Sequence, residues 1–62
     1  MNENQKIVLD WLKDSEDYPF AAVSDMFEGN ELPLEVSGSY FSLTRKEEIE
    51  VLAAFAEWGL KQ

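Results

Sequence analysis

"ELPLEVSGSYFSL", residues Glu31–Leu43, is the stretch whose reading decides the fold. Leu34 and Val36 alternate with Glu35 and Ser37, the period of a strand with one face buried. Gly38 follows as a turn residue. Tyr40, Phe41 and Leu43 then supply aromatic and apolar residues of the kind that favour strands. The pattern predicts a β-hairpin turning at Ser37–Gly38–Ser39, with Pro33 at the entry to an edge strand. Leu34 and Val36 would face the core and Glu35 the solvent. Tyr40 and Phe41 would take opposite faces, with Tyr40 outward because its hydroxyl is easily hydrated. Two strands alone are marginal in water, so the hairpin is expected to lie against helices.

Both flanks supply helical patterns. Near the start, Ile7, Val8, Trp11 and Leu12 share one helical face, with Leu9 at its margin. Asn2 can cap that helix, with Gln5 as the reciprocal half of a capping box. The helix is expected to end near Asp14, before the turn formers Ser15, Asp17 and Pro19. Pro19 suits the first turn of a second, short helix, on which Phe20, Val23, Met26 and Phe27 share a face and Gly29 is the stop. After the hairpin, Thr44 and Glu47 form the capping box of a last helix, and Gly59 stands as its left-handed stop. That helix carries two apolar stripes. Ile49, Leu52, Ala53, Ala56 and Leu60 form one; Val51, Phe55 and Trp58 form the other, round the side. The expected fold class is α+β: a single domain over residues 1–62, helix–helix–β-hairpin–helix, with the hairpin packed on the helices.

Size and composition narrow the chemistry. A chain of 62 residues buries only about 60% of its unfolded surface, so its stability margin is thin. It contains no cysteine and no histidine. Disulfides are excluded, and zinc would have only carboxylates to bind, which is not its usual ligand set. There is no thiol or imidazole to act as nucleophile or base, and no glycine-rich phosphate loop. The expectation is a protein with no catalytic residues and no cofactor. The N-terminal stretch lacks the features of a signal peptide, and no apolar run is long enough to span a bilayer, so a cytoplasmic location is expected.

Charge is the strongest compositional signal. Thirteen acids against five bases give a net charge of −8. That opposes direct binding to nucleic acid or to an anionic membrane, both of which need lysine and arginine to neutralise phosphate. Residues 1–35 hold nine acids and two lysines, whereas residues 36–62 hold four acids and three bases. The stretch from Asp14 to Glu31 holds six acids and no base. A calcium loop starting at Asp14 would have ligands at Glu16 and Asp25, but Pro19 would occupy the position that requires glycine. No metal site is expected. Glu16, Asp17, Asp25, Glu28 and Glu31 are instead the candidate residues for binding a basic protein partner. On the first helix Glu3, Asp10 and Asp14 share a face, but Lys6 and Lys13 flank them at ion-pairing distance.

The segments "NENQKIVLDWLK" (2–13) and "LTRKEEIEVLAAFAEWGLK" (43–61) resemble, in register and composition, small acidic proteins encoded by phages and prophages of Gram-positive bacteria. The resemblance implies a stand-alone accessory product that binds and modulates a host or phage protein, and it carries over no site residue. Three functions follow from the sequence. The first is a small acidic protein-interaction module that binds a basic protein surface. The second is a phosphate or DNA mimic that blocks a nucleic-acid-binding protein. The third is an assembly protein that oligomerises, for instance as a homodimer, through its last helix. In that last case Val51, Phe55 and Trp58 are the candidate second interface, although the same residues also suit a core.

Overall fold

The computed structural model of the chain describes residues 1–15 and 32–61. Among them all regular structure is helical: α1 (Glu3–Ser15), α2 (Leu34–Phe41) and α3 (Arg45–Leu60). The α+β expectation is therefore overturned, because the stretch read as a hairpin is a helix. The expected second helix, with its face of Phe20, Val23, Met26 and Phe27, lies outside the described residues.

Helix α2 begins where proline can begin one. Pro33 caps it at φ −55° and ψ 149°. Its fixed φ suits a helix start, and its carbonyl accepts the Ser37 N–H at 2.8 Å. Glu35 in the first turn favours the helix dipole. Val36 and Ser39 are buried, and Tyr40 and Leu43 are packed against the core. These four residues lie at i, i+3, i+4 and i+7, which is one helical face. Leu34 and Val36, expected on a common face, are separated by the helix: Val36 is 7% exposed and Leu34 90%. The expected order of Tyr40 and Phe41 is also reversed, for Phe41 is 75% exposed while Tyr40 is half-buried. Gly38 does not adopt a left-handed φ, so no turn forms there. The helix ends instead at Ser42, whose N–H bonds to the Ser39 carbonyl and whose hydroxyl donates to the Gly38 carbonyl.

The caps at the other two helix starts form as the sequence predicts. Asn2 Oδ1 accepts the Gln5 N–H while Gln5 Oε1 accepts the Asn2 N–H, each at 2.9 Å. Thr44 Oγ1 accepts the Glu47 N–H at 3.2 Å and Glu47 Oε1 accepts the Thr44 N–H at 2.9 Å. Each reciprocal pair satisfies two amide groups at a helix start that have no partner within the helix. The predicted stop at Gly59 does not form: α3 continues through Gly59 without a left-handed φ and is capped by Lys61.

Helix α1 is central to the arrangement. It packs against both α2 and α3, and those two do not pack on each other. The core consists of Val8, Leu9 and Leu12 from α1 with Val51 and Phe55 from α3. Leu9, expected at a margin, is buried because α1 has a neighbour on each side. Trp11, Tyr40, Leu43, Ala54 and Trp58 close the edges of the core.

Candidate functional site

The acidic residues chosen as the partner-binding site, Glu16, Asp17, Asp25, Glu28 and Glu31, lie outside the described residues, as does most of the Asp14–Asp25 stretch weighed as a calcium loop. Among the described residues no group of three or more acids converges to hold a metal.

The other candidate surface, Val51, Phe55 and Trp58, is turned inward. Val51 is 2% exposed and Phe55 7%. Trp58 is half-buried against the core. Its ring stacks on that of Phe55 with centroids 5.9 Å apart, and the Lys13 ammonium lies 5.6 Å from its centroid. A cation over an indole face adds electrostatic attraction to this contact between α1 and α3.

A polar junction holds the first turns of α1 and α3 together. Gln5 is only 3% exposed, yet all its polar atoms have partners. Its Nε2 donates to the Glu47 carbonyl at 3.1 Å and to Glu50 Oε1 at 2.8 Å, and its Oε1 serves the Asn2 cap. Asn2 Nδ2 in turn donates to Glu47 Oε2 at 2.7 Å. With the buried Gln5 amide fully matched, this junction sets the register of the two helices. It leaves no polar atom pointing at a ligand, and among the described residues no buried side-chain nitrogen or oxygen lacks a partner. The two cap motifs were legible in the sequence; the cross-helix bonds made by the same residues were not.

The surface that remains open combines charge with apolar area. Glu3, Asp10 and Asp14 are exposed along one side of α1, Glu35 on α2, and Glu48, Glu50 and Glu57 on α3. The ion pair among the described residues is Lys61–Glu57, 3.4 Å long and largely solvated. Such a pair contributes little. The outer side of α3 carries Ile49 at 56% exposure, Leu52 at 42% and Leu60 at 88%, with Ala53 and Ala56 between them. The sequence showed this stripe, and the structure places it on the side of α3 opposite the core. No helix among the described residues is long and apolar enough to cross a membrane. Comparison with family models, with curated proteins and with solved structures finds no match.

Proposed function

We propose that this chain is a small, non-catalytic, cytoplasmic acidic module that binds and modulates a basic protein surface. The observation that carries the reading is the charge balance at the surface. Among the described residues seven exposed carboxylates stand against four exposed bases, Lys6, Arg45, Lys46 and Lys61, in a chain of net charge −8. Carboxylates so placed repel one another and cost a small domain stability, a cost that a basic partner would offset. The residues proposed to make first contact are Glu16, Asp17, Asp25, Glu28 and Glu31, where the sequence has no neighbouring base. Long-range attraction would raise the association rate and make it fall with ionic strength.

The test starts with partner capture from the native host at low and high salt. Association rates are then measured for the wild type and for the triple variant Asp17→Asn, Glu28→Gln, Glu31→Gln. A slower, less salt-sensitive association by the variant supports the module. Equal rates with a flat salt response would refute it.

A further inference from the structure

We infer that the outer face of α3 is a self-association surface that pairs with the same face of a second copy in antiparallel orientation. Ile49, Leu52, Ala53, Ala56 and Leu60 lie on the side of the helix opposite Val51, Phe55 and Trp58, and all five are exposed. Their spacing, i, i+3, i+4, i+7 and i+11, is that of a helix–helix seam.

Two features choose a second copy running antiparallel. The first is size. The bulky Ile49 lies toward one end of the stripe, with the small Ala53 and Ala56 beyond Leu52. A twofold axis at the level of Leu52 sets each Ile49 against the alanines of the other helix, large into small. Parallel pairing would set alanine on alanine and leave a gap. The second feature is charge. Lys46 and Glu57 border the same edge of the stripe, about 16 Å apart along the axis, and the level midway between them is again that of Leu52. An antiparallel partner brings its Glu57 to Lys46, and the reverse contact repeats by symmetry. Parallel pairing would carry the two copies of this edge to opposite sides of the seam and make neither contact. The intrahelical Lys61–Glu57 contact is exposed and is easily exchanged for this one.

The area sets the strength. One face of a 16-residue helix is about 24 Å by 10 Å, well below the ~800 Å² per partner of a stable complex. The dimer is therefore expected to be reversible, forming in the upper micromolar range or above.

The test uses the full chain in sedimentation equilibrium over a concentration series up to about 1 mM. The mass should rise from 7.1 kDa toward twice that value. Leu52→Glu and Ala56→Gln should each keep the chain monomeric at every concentration, with circular dichroism and melting temperature unchanged. Lys46→Glu and Glu57→Lys should each weaken association several-fold, and the double variant should restore it. A wild type that stays monomeric throughout would overturn the proposal, as would a dimer indifferent to Leu52→Glu and Ala56→Gln. Failure of the double charge reversal to restore pairing would also overturn it, and so would a lowered melting temperature in dilute Leu52→Glu and Ala56→Gln, which would show that the face is already covered within one chain.

Discussion

Gly38 lies on the outer side of α2 with an ordinary φ, and nothing lies within 4 Å of where a Cβ would stand. Alanine there should stabilise the chain by about 0.5–1 kcal/mol, because glycine in a helix interior loses more conformational freedom than alanine. A hairpin turn needing a positive φ would give the opposite sign, so urea denaturation of Gly38→Ala separates helix from hairpin with one variant. Gln5 is the residue whose character was hardest to see beforehand. Being polar, it was not assigned to the apolar face of α1, yet it occupies the i−3 position to Val8 and i−4 to Leu9 and is buried with them. Gln5→Leu removes three hydrogen bonds and leaves the Glu47 carbonyl facing an apolar side chain. It should cost about 1–3 kcal/mol despite the added hydrophobicity, measurable as a lower denaturation midpoint at unchanged m-value.

At the scale of the element, helix starts were legible and helix faces less so. Thr44 and Glu47 cap α3 through hydrogen bonds between near neighbours, which the sequence encodes directly. Thr44→Ala should cost about 1 kcal/mol, read from thermal or chemical unfolding. Helix α2 is the opposite case. Its eight residues are too few to be helical alone in water, and the stretch fits two periods. Leu34 and Val36 suit a strand, whereas Val36, Tyr40 and Leu43 suit a helix in which the small Ser39 is also buried. Packing on α1 selects the second. Leu34→Ser should accordingly change stability by less than about 0.5 kcal/mol, while Val36→Ala should cost about 1–3 kcal/mol. Equal costs at the two positions would restore the strand reading.

On the scale of the whole molecule, the chain is compact yet leaves apolar surface uncovered. Its radius of gyration is 10.6 Å, close to the roughly 10.6 Å expected for a folded chain of this length. Its accessible surface is 4608 Å², above the ~4,100 Å² expected of a monomer of this mass. Leu34, Phe41, Ile49 and Leu60 are among the large apolar residues left exposed. The two proposed associations should respond to salt in opposite ways. Capture of a basic partner rests on long-range attraction and should weaken as salt rises. Pairing of two chains of net charge −8 sets apolar contact and two exposed Lys46–Glu57 pairs against mutual repulsion; exposed pairs contribute little, so screening the repulsion should tighten it over the same range. Measuring both between low and physiological ionic strength checks them independently.

Some properties of this protein belong to its sequence alone. Its charge, its lack of thiol and imidazole, the caps at Asn2 and Thr44, and the helical runs behind them depend on residue type or on neighbours a few positions apart. Tertiary structure decided the rest. Whether residues 34–41 become strand or helix depends on the surface they meet, because neither form is stable by itself. The side of α3 that enters the core was open as well, since both stripes are apolar. Contact with α1 settled it: Val51, Phe55 and Trp58 pack with Val8, Leu9 and Leu12. Gln5 and Lys13 reach the same side, one bonding to Glu47 and Glu50, the other lying over Trp58. These contacts join residues more than forty positions apart, and no local pattern encodes them.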